Sequence, residues 1–464
     1  MLEKTFRWLQ TPWFIAVVAL LLRLAWLLYK ITQIPTEALA TVPFQNEVGN
    51  VASALSSGHG FCCLFRQATG PTAWLAPVYP LFIAGIFKLF GAFTFRSFCA
   101  SVFLNSLASA LACLPLFRAS ERIAGKSTAT LATWLWALSP IGIILPYAWI
   151  WDSSLSAFLA AALLWATLRL ADRLDYLGAP YTAFAYGVFA FHGLLWGISL
   201  LTNPTLGALL PFLFVWIFLR RSQGTHCHPE GREVCGPKDL NVILTTQTRF
   251  VLLSLALVLL TCLPWTFRNY SQFHRFIPLR SNFAYEFWSG NNEIFDPNSR
   301  EVNRITRYEQ TRLYARLGES AFLDEKWQTA KTFVRTHPAL YVRLCAGRIV
   351  ATWLGTASPV HDFFQADSAL ARFLLLWNAV SFLAMLVGLV RLYRQCRTFF
   401  LPVAVFPLIF PLTFYLAHTS LRHRHPCDPV IALLIAIALL GAKAHDEQHS
   451  TLEAAKDPRL TSNL

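Results

Sequence analysis

WFIAVVALLLRLAWLLYKITQ, residues 13–33, is a twenty-one-residue run whose only charges are Arg23 and Lys30. A helix needs about 20 apolar residues to cross ~30 Å of hydrocarbon. The run is longer than the apolar core of a removable signal peptide, and no small-residue cleavage site follows it, so it reads as a retained span. Arg23 falls at mid-span, where a charge costs ~3 kcal/mol or more and is expected to face the bundle interior with a partner.

Nine further runs follow: 97–117, 127–147, 154–172, 183–201, 204–219, 250–267, 370–390, 398–417 and 429–442. The run 78–91 is ambiguous between a span and a helix lying in the interface. Across the 464 residues, 55% are hydrophobic and 14% charged, against about 25% charged in soluble domains. That balance excludes a soluble enzyme, a disordered chain and a disulfide-stapled scaffold. The formal charge of +14 is spread through loops between apolar runs and forms no compact basic domain, so no nucleic-acid partner is expected. The cysteines sit mostly inside apolar runs, as Cys99, Cys113 and Cys262 do, and act there as small hydrophobes.

Lys and Arg counting sets the topology. With ten spans and a cytosolic N-terminus, inner segments carry eighteen Lys and Arg against five in the short outer loops and the first outer loop. The large outer segment 268–369 carries thirteen more, but long translocated segments are weakly constrained by the rule. The expectation is an all-α membrane protein: a polytopic helical bundle of about ten transmembrane helices with both termini cytosolic. It divides into a transmembrane module 1–267 with a long first outer loop (34–96), an outer cap segment 268–369, closing transmembrane helices 370–442 and a cytosolic tail 443–464. The cap is expected to be helical, with runs such as Glu309 to Trp327, and too poor in continuous apolar sequence for its own core. On this topology 78–91 lies in the interface. The inner stretch His226-Cys227-His228 with Cys235 has metal-ligand residue types, but its irregular Pro/Gly-rich setting reads as a hydrophilic loop.

The polar features then gather outside. Glu47 is the one acidic residue between Ala40 and Ser120, and reads either as a helix-start carboxylate favoured by the macrodipole or as a general base. Asp152, in Trp151-Asp152-Ser153-Ser154, is a helix N-cap or a second site carboxylate. Arg268, Arg280, Arg422 and Arg424 all fall at the outer face, where guanidinium grips phosphate bidentately or snorkels to headgroups. In an extended Leu421-Arg422-His423-Arg424-His425-Pro426, both arginines would project to one side.

Several motifs follow one another in order: Asn46-Glu47 before a small-residue helix, Gly58-His59-Gly60-Phe61, Thr72-Ala73, and Pro77-Val78-Tyr79-Pro80. Later come Pro264-Trp265-Thr266-Phe267-Arg268-Asn269-Tyr270, then Arg280-Ser281-Asn282-Phe283 with Gly290-Asn291. In order and spacing, over about 10–440, these resemble the C-type glycosyltransferases, in particular bacterial relatives of protein O-mannosyltransferases and aminoarabinose transferases. The resemblance implies transfer of a sugar from a polyprenyl-phosphate donor to an acceptor on the outer face, with inversion at the anomeric carbon and no nucleotide sugar. The acceptor, whether protein, lipid or glycan, is left open. Glu47 and Asp152 are then the catalytic candidates, and Tyr79, Arg268, Arg280, Asn282, Arg422 and Arg424 the substrate-binding ones.

Many relatives of the mannosyl branch carry an Asp-Glu pair where this chain has Asn46-Glu47. Hard divalent cations want several oxygen ligands, so no metal or other cofactor is expected. The alternative reading is a transporter or lipid-carrier flippase. Such proteins place their polar groups near the midplane, often with inverted repeats, whereas these acids sit at outer ends and no repeat is detected.

Overall fold

The computed structural model describes residues 7–33, 46–65, 69–175, 183–221, 237–293, 300–366 and 368–442. Both chain ends and the His226–Cys235 stretch lie outside them. The elements among these residues are helices, with one isolated bridge between Cys62 and Pro71. Seven helical stretches are long and apolar enough to cross a membrane. Their outward faces are apolar too: on Ala369–Gln395, Phe373, Leu376, Val380, Leu383 and Val387 are exposed. Only a hydrocarbon solvent makes such a surface stable, and the chain is an integral, polytopic, all-helical membrane protein.

The ten expected runs are all accounted for. Runs 97–117 and 127–147 share one stretch, Phe95–Ala148, while 183–201 and 204–219 fall on the shorter apolar helices Tyr186–Thr202 and Pro204–Phe218. Phe95–Ala148 is a hairpin, because Gly125, at φ 82° and ψ 170°, breaks it. A residue with a side chain is strained there. The two arms run antiparallel: Asn105 Nδ2 donates to Pro146 O and Trp149 O, both 3.3 Å, and Trp136 Nε1 donates to Ser109 O at 2.8 Å. Helices 183–202 and 237–273 pack closely because Gly193 faces Ser254 and Gly197 faces Thr261, the small-residue contact that lets helix backbones approach in lipid.

Arg23 behaves as its position demands. It is 1% exposed and donates to Ser109 Oγ (2.9 Å) on the first arm, Ala137 O (3.1 Å) on the second, and Ala19 O (2.8 Å) on its own helix. Its partners are a hydroxyl and carbonyls.

The bundle has two unlike ends. At one, Arg122 pairs bidentately with Asp172, both bonds 3.0 Å, and Thr128 bonds Gly441 O at 3.1 Å. At the other stand the turn at Trp149–Asp152, the first loop and the cap helices Phe283–Gly290, Arg300–Leu317, Glu319–Thr336 and Pro338–Leu354. Val78–Phe90 belongs to this second end. Its 13 residues extend only about 20 Å. Tyr79, Ile83 and Phe87 are buried on its inner side, and Leu81, Phe82 and Leu89 are exposed on the other.

Candidate active site

A small, largely polar-walled cavity opens where the bundle meets the cap. Three segments supply its charged wall. Asp152 comes from the turn before Ser153–Asp175, Arg280 and Glu286 from the cap side, and His418, Arg422 and His423 from the last turn of the bundle.

Asp152 is 8% exposed, and its Oδ2 accepts from Ser156 Oγ at 3.3 Å. Burial pushes its carboxyl up to about 6, and the guanidiniums of Arg280 and Arg422 hold it from going higher. Glu286 shifts the other way. Burial alone would raise it, but the hydrogen bond from His418 (Nδ1 to Oε2, 3.2 Å) and the charges of Arg280 and Arg422 take it below the ordinary carboxylate range. Two carboxylates in one cavity are therefore set apart, one ionised throughout the neutral range and one titrating just below it, which is how acid and base duties are divided.

Arg280 is lowered by burial against the pull of Glu286 and Asp152, with Arg422 adding repulsion, and it bonds Thr205 Oγ1 at 3.2 Å. Arg422 lies over two indoles, 4.9 Å from the Trp149 ring and 4.7 Å from the Trp151 ring. Those faces orient the guanidinium, and among the described residues no hydrogen bond or ion pair occupies its N–H groups. Asn282 Nδ2 donates to Glu286 Oε1 at 2.9 Å, while its Oδ1 is buried without a hydrogen-bond partner among the described residues. Two neighbouring cations with free donors beside an unpaired acceptor form a surface ready for a phosphate and a polar ligand.

The other sequence candidates stand elsewhere. Arg268 donates to Thr72 O (2.6 Å) and Phe61 O (2.7 Å) and stacks on Phe61 and Trp265, so it fastens the first loop. Tyr79 is 2% exposed and bonds Asn105 Oδ1 at 2.9 Å, outside the cavity lining. Glu47 begins the Glu47–Ser56 helix, capped by the Asn46 side chain on Gly49 N, and is not a lining residue. Asn46 Nδ2 does reach Ile150 O at 3.3 Å, which sets that helix start against the turn carrying Asp152.

Arg422 and Arg424 part company. Leu421–Arg424 is a helical turn, not an extended strand, so residues two apart point to opposite sides. Arg424 is 5% exposed and bonds Asp428 Oδ1 (3.1 Å), Trp353 O (2.9 Å) and Asn378 Oδ1 (3.1 Å). These bonds all go to groups of the fold, and Arg424 does not line this cavity.

Sequence reasoning missed Glu286 and His418. The signal available was local: Asn282 and Glu286 are four apart on a helix, and Glu286 closes the motif that begins at Arg280. No group of three or more His, Cys, Asp or Glu side chains able to hold a metal ion occurs among the described residues.

No family model and no curated protein matches this chain by sequence. Solved structures do match. The oligosaccharyltransferase of Archaeoglobus fulgidus in its apo form superposes with a TM-score of 0.51 at 15% identity, covering 98% of this chain and 52% of that one. The chain shares the fold of that structure. It spans about half the length of the archaeal structures it matches. The same archaeal enzyme tethered to an acceptor peptide gives 0.48 at 15% identity over 96% of this chain and 50% of that one. ArnT from Cupriavidus metallidurans, solved with undecaprenyl phosphate, gives 0.37 at 14% identity over 88% and 74%. In this fold the cavity sits at one end of the bundle, under the cap.

Proposed function

We propose that the chain is a glycosyltransferase that moves a sugar from a polyprenyl-phosphate donor to an acceptor at the outer face of a membrane, both termini being cytosolic. The observation that carries the reading is the cavity's pairing of two guanidiniums, Arg280 and Arg422, with a buried carboxylate of raised pKa, Asp152. A departing lipid phosphate gains negative charge as its bond to the sugar breaks. Oriented cations at the membrane surface lower that barrier. Asp152 takes the acceptor's proton; its pKa near neutrality suits a general base. Glu286, kept ionised, orients His418 and balances the two arginines. Attack at the anomeric carbon then displaces polyprenyl phosphate from the opposite face, with inversion.

The base is assigned to Asp152 ahead of Glu47 because Asp152 lines the cavity. The cap residues 268–369 and the first loop exclude water from the transfer. A transporter reading has less support, since the charged groups cluster at one end of the bundle and not at its midplane. The test is incubation of the purified protein with a panel of radiolabelled polyprenyl-phosphate sugars and acceptor extracts. Transfer of label, lost in Asp152→Asn, supports the proposal. Turnover-independent movement of the lipid across vesicles, with no transfer, replaces it by the transporter reading.

A further inference from the structure

Glu319 opens the Glu319–Thr336 helix of the cap, directly after Gly318, whose φ of 75° turns the chain between two cap helices. Its side chain is 5% exposed and lies outside the cavity lining. Four donors converge on it. Oε1 accepts from Ala73 N at 2.9 Å and Ser281 Oγ at 2.7 Å; Oε2 accepts from Tyr314 OH at 2.8 Å and from the Thr72 hydroxyl. A carboxylate out of water needs such saturation. The donors come from separate parts of the chain: the first loop, the segment after residue 279, and the cap.

The geometry links this knot to the cavity wall. Ser281 stands between Arg280 and Asn282, both of which line the cavity, and its own N–H donates to Ala73 O at 2.9 Å. Arg268 holds the same loop from the other side through Thr72 O, so Thr72 is fixed by its carbonyl and its hydroxyl at once. The rings of Trp74 and Tyr285 pack 4.9 Å apart beside the knot, and Tyr285 is the neighbour of Glu286. A buried charge is a poor way to gain stability alone, because well-packed apolar groups do as well; its directional bonds fix register.

We propose that Glu319 is a positioning residue: it registers the first loop and residues 280–286 against the Glu319–Thr336 helix, and thereby sets where Arg280 and Glu286 stand in the cavity. Its consequence for donor binding rests on the function proposed above; the positional half does not.

Three full-length variants in nanodiscs test it: Ser281→Ala, Glu319→Ala and Tyr314→Phe. Tyr314→Phe removes a tether between the Arg300–Leu317 and Glu319–Thr336 helices, whereas the other two cut the tether to Ser281. Amide exchange across 279–287 should accelerate about tenfold in Ser281→Ala and at least as much in Glu319→Ala, with the Ser153–Asp175 helix unchanged, as expected for loss of a tether worth one hydrogen bond. Affinity for undecaprenyl phosphate, used as the probe, should fall about tenfold in the same two and stay within about twofold in Tyr314→Phe, even where Tyr314→Phe lowers the melting temperature equally. Affinity losses that merely track melting temperature across the three variants, or exchange at 279–287 that does not change, overturn the proposal. A wild type that binds no undecaprenyl phosphate while the exchange pattern holds leaves Glu319 its positioning role and removes the donor assignment instead.

Discussion

Replacing Arg422 and Arg424 by alanine, one at a time, should give opposite phenotypes from two residues of the same type, two positions apart. Arg422 rests on Trp149 and Trp151 with its N–H groups facing the cavity. Removing it takes one charge-assisted contact from a bound phosphate, on the order of 1.5–3 kcal/mol, or about ten- to 150-fold in donor affinity. The loss to the fold is the cation–π contact with its indoles, about 0.5–1 kcal/mol at a part-exposed site. Arg424 is the reverse. Its removal leaves Asp428 buried without its guanidinium and orphans Trp353 O and Asn378 Oδ1; breaking a buried pair from one side costs about 3–5 kcal/mol. Donor titration by intrinsic tryptophan fluorescence reads the first effect, since both indoles flank the cation, and thermal unfolding in detergent reads the second. The reasoning is refuted if Arg422→Ala binds donor normally, or if folded Arg424→Ala loses affinity without losing stability.

Asp152→Asn should lower turnover ~10²-fold or more, the usual scale for general-base loss, while Glu47→Gln retains most of it; the reverse ranking moves the base to the first loop. The acid limb of the wild-type pH–rate profile should fall near 6, and Arg422→Ala should shift it upward by removing one of the cations that oppose burial. Because the folded-state pKa of Asp152 lies above its unfolded value, its ionisation destabilises the fold as pH rises through about 6. The neutral Asp152→Asn should therefore melt higher than wild type at pH 8, by at most on the order of 3 kcal/mol, and no higher at pH 4. Gly290→Ala would drive a methyl group into the Ala417 carbonyl, next to His418, so activity should collapse and the melting temperature drop. Introduced cysteines near Thr94 should react with an external, impermeant maleimide and those near Ser120 should not; the opposite pattern inverts the topology.

The hydropathy of ten runs was enough to read the bundle, because lipid forces each span to satisfy its own backbone and leaves little else to decide. The hairpin hinge was less visible: Gly125 sits in a stretch of ordinary polarity, Arg118 to Thr128, and only its backbone angles show the break. Among the cavity-lining residues, Asp152, Arg280, Asn282 and Arg422 are legible in the sequence from their place near the ends of apolar runs. Glu286 and Glu319 could not be found that way, because each acquires meaning from partners more than a hundred residues distant, His418 for one and Thr72 for the other. Arg268 and Arg424 show the same limit in reverse, since both spend donors on groups of the fold. An arginine at a membrane surface satisfies itself equally well on carbonyls or on phosphate, and its sequence neighbours do not say which. The even spacing of Arg422 and Arg424 pointed to one shared face only for an extended chain, which this segment is not.

The bonds of Arg23 impose an order on biosynthesis. The first helix enters the bilayer carrying a guanidinium whose last acceptor, Ala137 O, lies 114 residues further along the chain. At ordinary translation speeds that acceptor is made roughly 6 to 23 seconds later. Until Ser109 follows, 86 residues on, the charge has only Ala19 O on its own helix, so the insertion machinery must shelter the helix until both arms of the hairpin have arrived. Nascent chains arrested before Ala137 should remain at the translocon and be extractable by carbonate, and longer ones should not. Arg23 thus makes the hairpin a condition for release of the first helix into lipid.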